Sequence, residues 1–377
     1  MPDDPSIQGA TQAIVDLPAF RHNLDAVRAY VGPSVEIMAV VKADGYGHGM
    51  LRMAEAALAH GIRHFGVARV HEGLELRAAG FTALTLVFES PAPEAIPEAI
   101  AADLELTLVS SEVLEWIEQA ALGTGRVVRV HVKVDTGMGR LGRPAEAAAS
   151  LVVRAARSPF LRLEGVYSHF ATSEDPDTRF AELQLRRFFD LLSAVRGEGV
   201  TIPLCHMANS GAIMTMPDAH LDMVRPGIML YGYPPGRGMV ERFPVRPVLS
   251  LVTRAAFVKI VGPNTSISYG RKYFTGRTTT IVTVPAGYAD GYSRLLTGKA
   301  EALIGGRRYP VVGTICMDQM MIDAGPEAEI RVGDEVVLIG RSGSDQITAW
   351  DVAAATGTIP YETTCLLTRR VTRVYRE

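Results

Sequence analysis

A lysine at the end of an apolar segment is the residue of this chain best placed for nucleophilic chemistry. Lys42 follows the run VEIMAVV (35–41) and opens the glycine-rich turn KADGYGHG (42–49). A lysine amine is a nucleophile only when burial or neighbouring cations disfavour its charged form. The β-branched run predicts a buried parallel strand, whose carboxyl end is where α/β folds place their chemistry. On position alone, a strand-end lysine that reaches solvent is the alternative.

Other polar residues lie at the predicted ends of further strands, and in a barrel these ends meet on one face. NSGA (209–212) and RPGI (225–228) follow the last two strands, where such barrels commonly bind phosphate. A phosphate-bearing ligand, a reactive lysine and surrounding basic groups suggest pyridoxal phosphate. The residues at these ends are Tyr46, Lys133, Arg140, His169, Ser210, Arg225, Gly227 and Ile228.

The elements that must position these residues form two blocks. Eight β-rich runs alternate with helical patterns, which is typical of a (β/α)₈, TIM-like barrel; an open doubly wound sheet is the alternative. After about residue 240, short strands separated by glycine turns predict a mostly antiparallel β-domain. We therefore predict a barrel over 12–240 and a C-terminal β-domain over 241–377, to which residues 10–17 are expected to add a strand. The eight runs are 35–42, 64–68, 84–88, 104–109, 127–135, 161–169, 203–208 and 223–232.

Composition excludes several classes of protein. A net charge of −3 gives no sign of a nucleic-acid or membrane surface. No segment approaches the roughly 18 uninterrupted apolar residues of a membrane span. The acidic N-terminus (1–12) lacks the apolar core of a secretory signal. Cys205, Cys316 and Cys365 fit neither a disulfide framework nor a zinc site, so we predict no metal and a cytoplasmic location.

Nine segments follow one another in order along nearly the whole chain. They are AVVKADGYGHGM (39–50), HVKVDTGMGRLG (131–142), SHFATSED (168–175), HMANSGA (206–212), RPGIMLYG (225–232), ISYGRKY (267–273), PAGYADGYSR (285–294), VGTICMDQMMID (312–323) and IPYETTCLL (359–367). Together they resemble the bacterial alanine racemases of fold type III. The resemblance implies a pyridoxal phosphate enzyme with an N-terminal barrel and a C-terminal β-domain. It also implies a head-to-tail homodimer whose active sites each use both subunits.

The resemblance assigns the two catalytic bases. Lys42 would hold the cofactor covalently and serve as one base, and Tyr269 from the other subunit would be the second. Racemisation needs acid/base groups on opposite faces of a carbon, because one face loses a proton while the other gains one. His169 and Arg225 would link this tyrosine to the pyridine nitrogen, which the arginine would keep unprotonated.

The same resemblance assigns the binding residues. Arg140 and the backbone N–H of Met317 from the other subunit would hold the substrate carboxylate. Lys133 matches a lysine that is carbamylated in many members, and the resulting anion would orient Arg140. Tyr288 would narrow the substrate entry, and Asp318 would lie beside the carboxylate contact. The predicted phosphate contacts are Tyr46, Ser210, Gly227, Ile228 and Tyr361.

The resulting hypothesis is an alanine racemase that supplies D-alanine for peptidoglycan. A racemase of broader specificity, for serine, lysine or arginine, is the alternative, because pocket width depends on residues near Tyr288 and Tyr361. A decarboxylase of the same fold is disfavoured, since its sites lack the string ISYG. A pyridoxal phosphate carrier or regulatory barrel protein would end near residue 240, whereas this chain continues to residue 377.

Overall fold

The computed structural model describes residues 9–377, except for the side chains of residues 240–242. These residues form two compact units. The larger unit, which we call the barrel unit, comprises Phe20–Gly45 and Met50–Arg246. The second unit comprises the N-terminal segment up to Ala19, together with Tyr46–Gly49 and Pro247–Glu377. The first eight residues, part of the segment in which we predict no secretory signal, lie outside the described residues. No helix in the described part of the chain is long and apolar enough to cross a membrane.

Eight successive parallel strands of the larger unit's nine-stranded sheet confirm the predicted barrel, and the ninth, the two-residue strand Arg143–Pro144, pairs beside the fifth. In space the eighth strand lies beside the first, and the others follow in chain order. The N–H of Asp222 donates to the carbonyl of Cys205 at 3.1 Å, and that of Arg225 to Ala208 at 2.9 Å, so the eighth strand also joins the seventh. The sheet is therefore nearly closed, and the open doubly wound alternative is wrong. The strands are Glu36–Val40, His64–Val67, Leu84–Val87, Glu105–Leu108, Val128–Asp135, Leu161–Tyr167, Leu204–His206 and Met223–Val224.

Helices connect the barrel strands. Ser110 caps the helix Ser111–Thr124, because its Oγ accepts from the N–H of Val113 at 3.2 Å. That helix runs through Gly123 and ends at Gly125, the glycine with the left-handed φ of 65° that such an end requires. The helices are Met50–Ala59, Val70–Ala78, Ile96–Ala101, Ser111–Thr124, Ala145–Arg157, Arg179–Gly197 and Ser210–Thr215, and Leu17–Val31 precedes the first strand.

The eighth strand is much shorter than predicted. Regular pairing stops after Val224, and a 3₁₀ turn occupies Ile228–Tyr231. Pro226 explains the early end, because proline has no N–H to donate to a neighbouring strand. The chain leaves the sheet here, so the backbone of Gly227 lies at the carboxyl end of the barrel strands.

The second unit is a ten-stranded sheet in which the strand Gln12–Asp16 participates. This strand pairs antiparallel with Leu249–Arg254 and parallel with Thr372–Arg376. The helices Ala349–Thr356 and Pro360–Cys365 accompany the sheet. In spatial order the strands are Phe257–Val261, Thr279–Val284, Met320–Gly325, Arg307–Val312, Glu301–Ile304, Glu335–Ser342, Leu249–Arg254, Gln12–Asp16 and Thr372–Arg376, with Asp345–Ile347 paired beside Glu335–Ser342.

Candidate active site

A left-handed turn follows the first barrel strand and begins at the predicted reactive lysine. After Lys42, the φ angles of Ala43, Asp44 and Gly45 are 53°, 54° and 60°. Each non-glycine residue in this region costs on the order of 1 kcal/mol, so the turn depends on outside contacts for its shape. The N–H of Gly45 donates to the carbonyl of Val41 at 2.9 Å and closes the turn onto the strand.

A buried carboxylate holds this turn in place. Glu72 is only 9% exposed, and its Oε1 accepts from the N–H of Ala43 at 2.7 Å. Its Oε2 accepts from the N–H groups of Ala68 at 2.6 Å and Arg69 at 3.1 Å, after the second strand. Hydrogen bonds to a charged acceptor are among the stronger ones in proteins. Glu72 thus ties the backbone next to Lys42 to the neighbouring strand end.

The barrel unit concentrates positive charge around one imidazole. Burial, followed by the charges of Arg225, Lys133, Arg140 and Lys42, holds the pKa of His169 well below its ordinary value. The imidazole is therefore neutral while cations surround it. A polar region with such an excess of one charge attracts anions, and phosphate and carboxylate groups fit it.

The second lysine of this cluster is deeply buried. Nζ of Lys133 donates to the carbonyl of Val134 at 2.9 Å and lies 5.3 Å from the centroid of the Tyr167 ring. Burial and the charge of Arg225 lower the pKa of Lys133 to about 7, although Asp135 partly opposes the shift. A substantial fraction of this amine is consequently neutral and nucleophilic near pH 7.

Several buried acceptors fix the guanidinium of Arg225. Its Nη1 lies 2.8 Å from Nδ1 of His206, and its Nη2 donates to the carbonyl of Ser168 at 2.6 Å. The same Nη2 donates to the carbonyl of Met207 at 3.2 Å and lies 3.4 Å from Nδ1 of His169. Burial lowers the pKa of Arg225 to about 10, which leaves the group charged at neutral pH.

Tyr167 is a functional candidate that our sequence analysis missed. Its ring stacks on His206, with centroids 4.9 Å apart and planes inclined by 5°. The guanidinium of Arg225 and the amine of Lys133 each lie 5.3 Å from its centroid, a favourable cation–π distance. Its position at the end of the sixth strand, two residues before His169, was the available signal.

Gln184 positions the segment that carries His169. Its Nε2 donates to the carbonyl of His169 at 3.1 Å, and its Oε1 accepts from the N–H of Ala171 at 2.9 Å. This side chain lies in the long helix Arg179–Gly197 and is fully buried. An amide with both ends bound fixes the loop and, with it, the imidazole.

Hydrogen-bond donors converge after the last two barrel strands. Oγ of Ser210 accepts from the N–H of Gly227 at 3.0 Å, which places the hydroxyl beside the turn that begins at Ile228. A side chain at Gly211 would meet Oγ of Ser173 at 2.4 Å, so only glycine fits there. Ser210, Gly227 and Ile228, predicted from different strands, are thus brought together.

Two of the predicted phosphate contacts are neighbours within the second unit. The rings of Tyr46 and Tyr361 lie 6.0 Å apart, at an angle of 49°. Burial, then Tyr361 and Cys365, raise the pKa of Tyr46 far above its ordinary value. The hydroxyl of Tyr46 therefore stays protonated and is a potential donor to an anion.

Tyr269 lies in a tight turn of the second unit and is largely exposed. The residues on either side of it have positive φ angles, 66° at Ser268 and 73° at Gly270. Oγ1 of Thr314 donates to the carbonyl of Tyr269 at 2.8 Å and holds the turn. The side chain itself is 73% exposed in the single chain. This projecting phenol is available to another molecule.

Met317, predicted to act from the other subunit, and Tyr288, predicted to narrow the substrate entry, are also exposed on this unit. Met317 is 51% and Tyr288 is 40% exposed. The N–H of Tyr288 donates to the carbonyl of Cys316 at 3.1 Å, so the loops carrying Tyr288 and Met317 lie side by side. Asp318 accepts from Nη2 of Arg370 at 2.8 Å, which anchors the same loop.

Metal-ligating side chains do not cluster in the described part of the chain. Among residues 9–377, no group of three or more His, Cys, Asp or Glu residues is placed to hold a metal ion.

Two family models match the chain. The one described as "Alanine racemase, N-terminal domain" covers residues 15–235, and the one described as "Alanine racemase, C-terminal domain" covers residues 248–375. Together they span both units.

Individual proteins match over nearly their full length. An alanine racemase of Desulfovibrio desulfuricans is 42% identical over 365 residues, which cover 97% of this chain and 98% of that protein. The solved alanine racemase of Clostridium difficile superposes with a TM-score of 0.94 at 37% identity, covering 98% of this chain and 96% of that one. The solved alanine racemase of Bacillus anthracis with bound L-Ala-P superposes with a TM-score of 0.92 at 37% identity, covering 98% of this chain and 96% of that one.

Proposed function

Because the chain belongs to the alanine racemase family, we propose that it interconverts L-alanine and D-alanine with pyridoxal phosphate as cofactor. The observation that carries the proposal is the set of four basic side chains around the neutral imidazole of His169. Such a site suits a reaction whose cofactor and substrate both bring anionic groups. We further propose a cytoplasmic enzyme that supplies D-alanine for peptidoglycan.

The residues of the barrel unit fit pyridoxal phosphate. The hydroxyl of Ser210 and the backbone of Gly227 and Ile228 are grouped to receive its phosphate. We assign Tyr46 and Tyr361 to the same phosphate from the resemblance. When bound, the cofactor supplies a carbonyl that reacts with an amine and a conjugated ring that withdraws electrons from the substrate α-carbon.

The proposed bases are Lys42 and Tyr269. Lys42 is one of the four basic residues whose charges act on His169, and the backbone next to it is fixed through Glu72. Arg225 can only donate hydrogen bonds, so it would hold a pyridine nitrogen in its unprotonated form. Arg140 and Met317 would bind the substrate carboxylate, and Lys133 would support Arg140.

We also propose that the active enzyme is a homodimer. The support is the exposure of Tyr269, Met317 and Tyr288 on the second unit of the single chain. A head-to-tail pair would bury these side chains against the barrel of the other subunit. In that arrangement each site takes one base from each chain.

A racemisation assay across a panel of amino acids tests the function. Each L-amino acid is incubated with the holoenzyme, and the enantiomers are separated by chiral chromatography. We expect alanine to have the highest kcat/KM. Faster turnover of serine, lysine or arginine would identify the broader-specificity alternative. Bound cofactor without any racemisation would support a carrier or regulatory protein instead.

Two inactive variants should restore activity when their subunits mix. In a dimer of Lys42→Ala with Tyr269→Phe, one of the two sites keeps both bases. Random exchange makes about half of the dimers mixed, so we expect up to about a quarter of wild-type turnover. The measurement is the racemisation rate before and after exchange, with exchange followed by mass spectrometry of differently labelled subunits. No recovery after proven exchange would mean that one chain supplies both bases.

Lys133 should form a carbamate with carbon dioxide. Its neutral amine attacks the carbon of CO₂ and loses a proton to water, and the product carries a negative charge. With a pKa of about 7, about half of the amine is neutral at pH 7 but only about a tenth at pH 6, so labelling should rise with pH across this interval. We expect one carbamate signal by ¹³C NMR in ¹³C-bicarbonate.

The chain offers a simple control for this labelling, because it has five lysines, at positions 42, 133, 259, 272 and 299. The signal should disappear in Lys133→Gln and persist in Lys299→Gln. A signal that survives in Lys133→Gln would assign the carbamate to another lysine.

A further inference from the structure

A line of buried polar groups runs through the barrel away from Arg225. Nη1 of Arg225 lies 2.8 Å from Nδ1 of His206, and Nε2 of His206 lies 3.0 Å from Nδ1 of His131. Nε2 of His131 then lies 3.5 Å from Oε2 of Glu105. Arg225 follows the eighth strand, and His206, His131 and Glu105 lie in the seventh, fifth and fourth strands. They connect the candidate site to the opposite end of the barrel interior.

The direction of every hydrogen bond in this line follows from its first member. An arginine has only donors, so Nδ1 of His206 must accept. Burial, then Arg225 and His131, hold the pKa of His206 well below its ordinary value, so the ring is neutral and carries one proton, on Nε2. That proton is donated to Nδ1 of His131. Because Nδ1 of His131 accepts, the proton of this ring lies on Nε2, directed toward the carboxylate.

Glu105 is a suitable final acceptor. It is only 2% exposed, and neither its Oε2 nor Nε2 of His131 has a hydrogen-bond partner among the described residues. Their separation of 3.5 Å is long, and a small approach would satisfy both atoms. Burial raises the pKa of Glu105, but His131, Arg129 and His64 outweigh it, and the net shift is downward. The ionised carboxylate can therefore only accept.

We propose that Glu105 is a positioning residue which, through His131 and His206, fixes the direction of the hydrogen bonds that hold Arg225. If both histidines carried their protons on Nδ1, His206 would present N–H to the N–H of Arg225, and the guanidinium would have to turn away. The same reversal would place the bare Nε2 of His131 against the carboxylate. Glu105 therefore disfavours the arrangement in which both histidines carry their protons on Nδ1. The consequence for catalysis rests on the proposed function, in which Arg225 faces the cofactor ring.

The test compares three variants of the holoenzyme. Glu105→Leu removes the acceptor, whereas Glu105→Gln keeps an acceptor oxygen on a side chain of the same length. Glu164→Leu is the matched control, because Glu164 is a glutamate of another barrel strand, the sixth, and pairs with Arg162 at 2.6 Å. The first readout is which ring nitrogen, Nδ1 or Nε2, carries the proton in His131 and in His206. It is measured by ¹⁵N NMR of the protein with labelled histidine, and the signals are assigned with variants that each lack one histidine. The second is kcat and KM for alanine.

We expect both wild-type histidines to carry their proton on Nε2. In Glu105→Leu, His131 should populate the other tautomer, and kcat should fall by about tenfold or more with KM little changed, on the order of the loss when the outer hydrogen-bond partner of a metal-binding histidine is removed. Glu105→Gln and Glu164→Leu should stay near wild type on both readouts. A wild-type proton on Nδ1 of either histidine would overturn the proposal.

Unchanged tautomers in Glu105→Leu, or an equal loss of kcat in Glu164→Leu, would also overturn it. If Glu105→Leu does not fold, the wild-type tautomers and the rescue by Glu105→Gln still decide. Failure of the proposed function is distinguishable, because the wild-type enzyme would then not racemise alanine while the NMR result would remain as expected.

Discussion

Replacing Lys42 by alanine is expected to abolish racemisation and covalent attachment of the cofactor together. One nitrogen atom serves both purposes in the proposed site, so no variant at this position can keep either. A general base alone typically contributes ~10²–10⁴-fold to a rate, and loss of attachment adds to this. Chiral chromatography measures the turnover. Borohydride reduction followed by peptide mass spectrometry measures attachment to the residue 42 peptide.

The control for this variant is an exposed lysine of the second unit. Nζ of Lys299 donates to the carbonyl of Ala355 at 2.9 Å and lies in the loop before the strand Glu301–Ile304. Lys299→Ala should therefore retain wild-type turnover and cofactor. Wild-type-like racemisation by Lys42→Ala, or reductive labelling of a different lysine in the wild type, would refute the assignment.

The fold was largely predictable because its strands have strong local signals. Continuous β-branched runs such as 35–41 and 84–88 have few alternatives to a buried parallel strand. The error at the eighth strand has a local cause, since Pro226 interrupts an otherwise strand-like run and the prediction extended through it.

The parts of the candidate site that depend on distant contacts were not predictable. Glu72 lies in the helical pattern HEGLELR, where a glutamate ordinarily faces solvent, and nothing local shows that it binds the turn at Ala43. The line from Arg225 to Glu105 joins residues up to about 120 positions apart in the chain. Such lines form only when the strands close into a barrel, so the sequence pattern carries no sign of them.

Tyr269→Phe should impair proton exchange from the two enantiomers of alanine unequally. If the phenol serves the L face and Lys42 the D face, the variant keeps a base for D-alanine only. Exchange of the α-proton of D-alanine with solvent deuterium should continue, while exchange from L-alanine should fall by a further ~10²–10⁴-fold. The phenylalanine removes only the hydroxyl from a side chain that is 73% exposed in the single chain, so folding should be unaffected.

Racemisation rates cannot show this asymmetry. The equilibrium constant between the enantiomers is one, so any variant must lose kcat/KM equally in both directions. Exchange has no such constraint, and mass spectrometry of each enantiomer after incubation in deuterium oxide measures it directly. Tyr273→Phe is a suitable control, because its hydroxyl donates to Asp323 at 2.5 Å and is already engaged within the second unit. Equal residual exchange from both enantiomers in Tyr269→Phe would mean that one base, or water, serves both faces of the α-carbon.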